Sequence, residues 1–272
     1  MRSASGSEPA PADGLAVELA RAIDAGEIVP WYQPIVDLDS GDVIGLEALA
    51  RWEHPSGGVG GPATFVPLAE RSDLIIELDH AVMSRALADL AGWRGQYPAL
   101  RVSVNMSGRQ LDHSSWVETM RHAVEVAHLP PSAVDLELTE TTRPSDLAAS
   151  EVMMIRIRAL GFRIWFDDFG TGWFQQQDVV RLPLDGLKID RTFTESLGSV
   201  DDSAIRALIH VATELGLKIT IEGITTAHQV ALARTLGCDY GQGFLFSPAV
   251  PAAEVPALLR AAPYLREARR RG

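Results

Sequence analysis

The chain has very little cysteine: Cys238 is the single thiol in 272 residues. One thiol excludes a disulfide framework and a thiolate metal cluster. No apolar run approaches the roughly 20 residues that a membrane-spanning helix needs. The N-terminus also lacks a basic stretch followed by an apolar one, so no signal peptide is indicated. These absences predict a soluble protein of the cytoplasm that has no membrane partner.

Positive charge is scarce as well. The 24 Lys and Arg residues are outnumbered by 36 Asp and Glu residues, which gives a formal net charge of -12. Because DNA and RNA are bound mainly through Lys and Arg, this balance argues against a nucleic-acid partner. An acidic protein can still bind a small nucleotide when metal ions supply the positive charge. A Gly-X-Ser-X-Gly motif is also missing, so serine hydrolysis has no support.

Apolar sequence, in contrast, is sufficient for one large domain, since 46% of the residues are hydrophobic. Predicted strands and helices alternate about seven or eight times, which favours an α/β fold of the (β/α)8 TIM-like barrel type. No Gly-rich dinucleotide loop follows the first strand, which disfavours an open doubly wound sheet. We expect residues 1–14 to be a disordered tail, 15–262 to be a single barrel domain and 263–272 to be a basic tail.

The hydrophobic pattern also predicts individual elements. A helix is expected from Leu68 to Trp93 after a Gly- and Pro-rich loop, and a last strand from Gly241 to Phe246. Thr226 and Gln229 have the spacing of a capping box at a helix start.

Two adjacent carboxylates, Asp167 and Asp168, follow the strand that begins at Phe162. An isolated Asp-Asp pair is more often a helix cap or a solvated turn than a metal site. Other predicted strands, however, also carry polar residues at or near their ends. The functional residues of a TIM-like barrel lie at the C-terminal ends of its strands. The residues that meet this description are Glu47, Asn105, Glu137, Asp167, Asp168, Lys188 and Glu222.

Carboxylates that converge on one barrel mouth repel one another unless cations lie between them. The candidate ligands are oxygen donors, which favours Mg²⁺ or Mn²⁺ over zinc, although Ca²⁺ could also bind. One or two such ions can hold a phosphate and activate a water. Lys188 would orient that water or offset charge in the transition state, and Arg51 offers a fork for two phosphate oxygens. The residues therefore predict metal-dependent hydrolysis of a phosphate ester.

The chain resembles the EAL domain family, bacterial phosphodiesterases that act on cyclic di-GMP. The motif that names the family is Glu47-Ala-Leu-Ala-Arg51, and further motifs follow the family's order over about residues 28–250. They are Tyr32-Gln-Pro-Ile-Val36, Arg51-Trp-Glu-His-Pro55, Phe65-Val-Pro-Leu-Ala-Glu70, Val104-Asn-Met-Ser107, Glu137-Leu-Thr-Glu140, Asp167-Asp-Phe-Gly-Thr-Gly172, Leu187-Lys-Ile-Asp190, Ile221-Glu-Gly223 and Gln242-Gly-Phe244.

This resemblance implies a barrel whose first strand is antiparallel to the rest, and hydrolysis of cyclic di-GMP to linear pGpG in bacterial signal transduction. It implies a stand-alone domain that forms a homodimer beside the aspartate loop. The implied metal ligands are Glu47, Asn105, Glu137, Asp167, Asp168 and Glu222. The implied catalytic residues are Glu47, Asp168, Lys188 and Glu222, with Gln33, Leu49, Arg51 and Gln242 along the substrate and Glu140 as the anchor of the loop.

The sequence departs from the family pattern after Asp168. The family usually has two serines and a leucine in the loop where this chain has Trp173, Phe174, Gln175 and Gln176. A glutamate of the family is also replaced by Thr225. These changes keep an alternative open, namely a catalytically impaired EAL domain that binds cyclic di-GMP or a protein partner as a receptor.

Overall fold

Eight strands form a closed barrel in this computed structural model, which describes residues 11–139, 146–169, 181–199, 202–262 and 264. Two further two-residue strands extend the sheet beside the first two barrel strands. The barrel strands are β1 (Ile28–Asp37), β2 (Val43–Glu53), β4 (Arg101–Met106), β5 (Val134–Thr139), β6 (Arg163–Phe169), β7 (Gly186–Ile189), β8 (Lys218–Ile221) and β9 (Tyr240–Gly241), and the short strands are β3 (Val59–Gly60) and β10 (Val250–Pro251).

The strand directions confirm the predicted barrel. Strand β1 is antiparallel to both of its barrel neighbours, β2 and β9. Each remaining pair around the ring, from β2–β4 to β8–β9, is parallel. The C-terminal ends of the seven parallel strands therefore lie at one mouth of the barrel, where a fold of this type places its functional residues.

Helices connect the strands and cover the barrel on its outside. The described helices are α1 (Pro11–Asp24), α2 (Pro62–Arg71), α3 (Ile75–Arg94), α4 (Trp116–Val126), α5 (Leu147–Ala159), α6 (Arg191–Glu195), α7 (Ser203–Glu214), α8 (Ala227–Leu236) and α9 (Val255–Ala261). In the part of the chain that the structure covers, no helix combines the length and the apolar character needed to cross a membrane.

Local chemistry explains several helix boundaries. The Asp146 carboxylate accepts hydrogen bonds from the backbone N–H groups of Ala148 and Ala149, at 2.9 and 3.2 Å, and so caps α5. The predicted capping box opens α8: the Thr226 hydroxyl accepts from the Gln229 backbone N–H at 3.2 Å, and the Gln229 side-chain oxygen Oε1 accepts in return from the Thr226 backbone N–H at 3.1 Å.

Two predicted elements were wrong in extent. The helix expected from Leu68 to Trp93 is two helices, α2 and α3, and α2 already begins at Pro62, because proline fits the first turn of a helix. The last barrel strand is only Tyr240–Gly241, since Gly243 then takes a φ of 155°, which leaves the strand conformation. The domain boundaries stay predictions, although α1 begins at Pro11, inside the predicted tail.

Side chains alternate along each strand between the helix layer and the barrel interior. On β6, Ile164 and Phe166 are fully buried in the hydrophobic core, whereas Trp165 and Asp167 face inward. Gly186 on β7 makes room for the indole, because a Cβ atom there would lie 2.2 Å from the Trp165 ring. This ring fills the barrel below the mouth, so the carboxylates above it lie on a packed floor.

Candidate active site

The mouth of the barrel brings together polar side chains from neighbouring strand ends. Glu47 of β2 is paired in register with Gln33 of β1, and Asn105 of β4 is paired with Glu137 of β5. Glu47 and Glu137 are 5% and 1% exposed, so both carboxyl groups are removed from bulk water. Buried carboxylates of this kind are retained only when cations or hydrogen-bond donors compensate them.

A bulge in β6 explains how two consecutive aspartates can serve one site. In a regular strand Asp167 and Asp168 would point to opposite faces. The pairing of β6 with β7 shifts between Phe166 and Phe169, and Asp168 has a φ of 56°, which is uncommon for a residue other than glycine. Bulges of this kind re-aim side chains next to active sites. The sequence predicted the aspartate pair, and the backbone shows how both members reach the cavity.

Lys188 of β7 lies at the centre of the carboxylates and is 1% exposed. Its Nζ atom is 2.7 Å from Glu222 Oε1, 2.9 Å from Glu137 Oε2, 3.0 Å from Asp167 Oδ1 and 3.2 Å from Glu47 Oε2. Burial alone would lower the pKa of this ammonium group, but the four carboxylates outweigh burial and raise the pKa well above its usual value. Lys188 is therefore a permanent cation in this site.

Three N–H bonds cannot satisfy four carboxylates. Glu137 Oε2 accepts a well-directed hydrogen bond from Lys188, whereas Asp167 Oδ1 and Glu222 Oε1 are buried within ionic distance of Nζ but have no hydrogen-bond partner in the described chain. Burial raises the pKa of both Glu137 and Glu222 well above the ordinary value for glutamate. Four carboxyl groups thus face one cation in the described site, and their full ionisation would leave negative charge that Lys188 alone does not offset.

These oxygen atoms fit one or two hard metal ions. Two sets of carboxylates, Glu47, Glu137 and Asp167, and then Asp167, Asp168 and Glu222, each place their oxygens within 4.8 Å of one another. Asp167 belongs to both sets and would bridge two ions. The unsatisfied oxygens of Asp167 and Glu222 lie where a second cation would compensate them. An all-oxygen donor set of this kind suits Mg²⁺, Mn²⁺ or Ca²⁺.

Asp168 also has a raised pKa. Burial, and then the neighbouring charge of Asp167, raise the pKa of Asp168 to about 7. A carboxyl group with a pKa near neutral pH can accept a proton and release it again at that pH. Asp168 is thus suited to proton transfer in the metal-free protein.

The carboxylates form the floor of an open cavity of about 660 Å³. Gln33, Leu49, Asn105 and Gln242 also line this cavity, as the sequence analysis expected of substrate and metal contacts. The Gln242 amide donates to Glu47 Oε2 at 2.5 Å and to Gln33 Oε1 at 2.9 Å, and Gln33 donates to the Ser247 carbonyl at 3.1 Å. Gln242 and Lys188 thus both contact Glu47 Oε2, and this network helps to fix the orientation of Glu47.

Arg51 does not line the cavity floor, unlike its neighbour Leu49. Its guanidinium lies 5.8 Å from the centre of the Trp31 ring and donates to the Ala50 carbonyl at 2.9 Å. Contact with phosphate would therefore require the Arg51 side chain to turn toward the cavity. Glu140 and the altered residues Trp173 to Gln176 lie outside the described residues.

Three cavity residues were missed by the sequence reasoning. Asp79 of α3 is 7% exposed and lines an apolar end of the cavity, where its carboxylate accepts from the Ser107 N–H at 3.3 Å. Phe244 is 74% exposed at the cavity, and Arg191 of α6 lies near Glu222. A charged residue inside the apolar stripe Ile75, Leu78, Val82 was the available signal for Asp79. Phe244 is the last residue of the recognised motif Gln242-Gly-Phe244 but was given no role, and Arg191 directly follows the motif Leu187-Lys-Ile-Asp190.

Comparison with known proteins assigns the family. The family model described as the EAL domain matches residues 16–249. The chain belongs to the EAL domain family. The family resemblance seen in the sequence is thereby confirmed, and the barrel mouth described above is the candidate active site of this EAL domain.

Curated relatives of this EAL domain include two proteins of Pseudomonas aeruginosa. It is 38% identical over 247 residues to the cyclic di-GMP phosphodiesterase NbdA, and this match covers 90% of this chain and 32% of NbdA. It is 37% identical over 243 residues to the bifunctional diguanylate cyclase/cyclic di-GMP phosphodiesterase MucR, and this match covers 88% of this chain and 36% of MucR. The chain thus spans about a third of the length of these relatives.

Solved structures agree with this assignment. The PaMucR phosphodiesterase in complex with c-di-GMP is 38% identical, with a TM-score of 0.82, and the match covers 89% of this chain and 99% of that chain. The EAL enzyme Bd1971 with cAMP and cyclic-di-GMP bound is 32% identical, with a TM-score of 0.86, and the match covers 91% of this chain and 69% of that chain.

Proposed function

We propose that this EAL domain is a metal-dependent phosphodiesterase that hydrolyses cyclic di-GMP to linear pGpG. The observation that carries the proposal is the pair of carboxylate sets that share Asp167 around Lys188, at the floor of a cavity of about 660 Å³. The names of the relatives support the substrate, since NbdA and MucR are both cyclic di-GMP phosphodiesterases. A cavity of this size falls in the range that binds small molecules.

In this proposal Glu47, Asn105, Glu137 and Asp167 would hold one Mg²⁺ or Mn²⁺, and Asp167, Asp168 and Glu222 would hold the second. When bound, such ions polarise the phosphate and lower the pKa of a coordinated water. Water adds to one phosphorus and the ester bond to the 3′ oxygen breaks, which leaves a 5′-phosphate and a 3′-hydroxyl.

The protein's own groups position the reactants and offset charge. Asp168, which lies in the second carboxylate set, would accept the proton of the attacking water. Lys188 keeps its positive charge beside four carboxylates and limits their mutual repulsion. Gln242 and Gln33 hold Glu47 in one orientation, which matters because an error of about 1 Å in placement can cost on the order of 100-fold in rate.

Asp79 and Phe244 supply base recognition in this proposal. Guanine presents two N–H donors, at N1 and N2, on one edge, and a buried carboxylate such as Asp79 accepts such a pair in an otherwise apolar wall. The exposed ring of Phe244 offers a face on which the other base can stack.

The impaired receptor remains the second candidate, because the chain differs from the family where Thr225 replaces a glutamate. The Thr225 hydroxyl donates a hydrogen bond to Gln229 Oε1 at 3.1 Å, and threonine supplies no negative charge where the family has a glutamate. A homodimer and a cytoplasmic location also remain proposals. Exposed Val152 and Ile155 on α5 are compatible with a partner surface, and light scattering after Val152→Glu would test the dimer.

The experiment is incubation of the protein with cyclic di-GMP and Mg²⁺ or Mn²⁺, with pGpG followed by chromatography. Wild type should form pGpG, Glu47→Gln should form none, and Glu214→Gln, an exposed glutamate on α7, should match wild type. Cyclic di-GMP binding by calorimetry without pGpG formation would reject the enzyme and support the receptor. Absence of both binding and turnover would reject both candidates.

A further inference from the structure

We propose that Arg191 binds the terminal 5′-phosphate of the linear dinucleotide, so that this site distinguishes a product with a 5′-phosphate from one without it. The inference rests on the proposed phosphodiesterase function. It concerns a residue outside both the carboxylate sets and the glutamine network.

The backbone holds Arg191 close to the reaction centre. Arg191 is the first residue of α6, separated from β7 only by Asp190, and its main chain packs against Gly223. A Cβ atom at Gly223, where φ is 71°, would lie 2.4 Å from Arg191 Cβ and 3.1 Å from its Cα. Gly223 in turn follows Glu222, whose Oε1 is 2.7 Å from Lys188 Nζ. The start of the arginine side chain is therefore fixed beside the second carboxylate set.

The charge of the cavity makes this arginine unusual. Among the described cavity-lining residues, Arg191 is the single Lys or Arg. It is exposed and makes no ion pair with the described part of the chain, whereas Arg158 and Arg206 are each bonded to an aspartate. The carboxyl groups that line the same cavity are Glu47, Glu70, Asp79, Asp167, Asp168, Glu195 and Glu222.

Hydrolysis creates a new need for positive charge at this position. A phosphodiester carries one negative charge, whereas the 5′-phosphate of pGpG carries up to two at neutral pH. The additional charge develops next to Asp168 and Glu222. A guanidinium can bind two phosphate oxygens at once, and Arg191 is an exposed side chain whose Cβ atom packs at Gly223, the residue after Glu222. Arg191 would therefore stabilise the linear product more than the cyclic substrate.

The test compares pGpG with GpG, the same dinucleotide without the 5′-phosphate, in calorimetric titrations of the Mn²⁺-loaded protein. Wild type should bind pGpG about tenfold or more tightly than GpG, in line with a charge-assisted bidentate contact. Arg191→Gln should weaken pGpG binding about tenfold and leave GpG unchanged, and Arg191→Lys should retain part of the difference. Arg206→Gln, which removes a paired surface arginine, should match wild type.

An equal pGpG-to-GpG affinity ratio in wild type and Arg191→Gln would overturn the inference while the proposed function stands. Inhibition of cyclic di-GMP turnover by pGpG should weaken in parallel in Arg191→Gln. Failure of wild type to bind cyclic di-GMP would instead refute the proposed function, and the inference with it. Thermal melting of each variant shows whether a loss of binding is caused by misfolding. If Arg191→Gln is misfolded, the pGpG-to-GpG affinity ratio of Arg191→Lys is compared with that of wild type instead.

Discussion

Replacing Lys188 by methionine should destabilise the metal-free protein strongly and in a pH-dependent way. The side chain keeps a similar length, but the only cation within reach of four buried or half-buried carboxylates is lost from the described site. A charge pair at about 3 Å is worth about 5 kcal/mol at an effective dielectric constant of about 20, and desolvation offsets much of that. Removal of one partner from a buried ionic group costs about 3–5 kcal/mol, which we expect at pH 8.

The loss should shrink at pH 5. Burial raises the pKa of Glu137 and Glu222 in the folded protein, so their ionisation costs stability as the pH rises above the unfolded value of about 4.3. The positive charge of Lys188 opposes this increase in the two glutamate pKa values, and the Lys188→Met variant lacks that charge. The stability gap between wild type and Lys188→Met should therefore widen from pH 5 to pH 8.

The assay is urea unfolding at both pH values in the presence of a chelator. Lys218→Met is the control, because Lys218 pairs with Asp239 at 2.5 Å on the surface, and its loss should cost no more than about 1 kcal/mol. Saturating Mn²⁺ should recover part of the stability of Lys188→Met. Equal stability of wild type and Lys188→Met at pH 8, or the same loss at both pH values, would refute the reasoning.

Three further predictions concern single positions. Burial raises the pKa of Asp168 to about 7, so ionisation of Asp168 lowers the free energy of unfolding of the metal-free wild type as the pH rises from 5 to 8. The Asp168→Asn variant lacks this group, and its free energy of unfolding in urea should fall by about 1–2 kcal/mol less than that of wild type over the same pH range. The full pKa shift is worth at most about 4 kcal/mol, and solvent screening reduces it. Gly186→Ala should lower the free energy of unfolding by about 1–3 kcal/mol, because the new methyl group would meet the Trp165 ring. When Trp165→Leu is already present, Gly186→Ala should cost less. Equal costs of Gly186→Ala with and without Trp165→Leu would contradict this contact. Asp79→Asn should weaken cyclic di-GMP binding in calorimetry about tenfold or more, and unchanged affinity would exclude its contact with guanine.

The barrel could be predicted from the sequence because strand and helix periodicity repeats along the chain and the strand-end residues recur with it. The family resemblance supplied the antiparallel direction of β1, which periodicity alone cannot give. The length of the last strand could not be predicted, because Phe244 and Leu245 look like a strand continuation while Gly243 turns the backbone away. Likewise α2 begins at Pro62 within a Gly- and Pro-rich segment whose composition is typical of a loop.

At the site, the sequence identified side chains but not their mutual geometry. Local sequence did not reveal that Lys188 contacts four carboxylates, since those contacts join β7 to residues of four other strand ends. Asp79 was missed for a similar reason, because it lies on α3 and reaches the cavity only when that helix packs against the barrel mouth. Arg51 shows the converse, since its motif position indicates phosphate contact while its guanidinium lies over Trp31.

The measurement that tests the central claim most directly is hydrolysis of cyclic di-GMP in ¹⁸O-labelled water with Mn²⁺. The account predicts pGpG with one ¹⁸O atom in its 5′-phosphate, no product when the metal is chelated, and no product from Glu47→Gln. Absence of pGpG from a folded, Mn²⁺-loaded wild-type protein, or pGpG whose new phosphate lacks the label, would contradict attack by water at the phosphorus in this site.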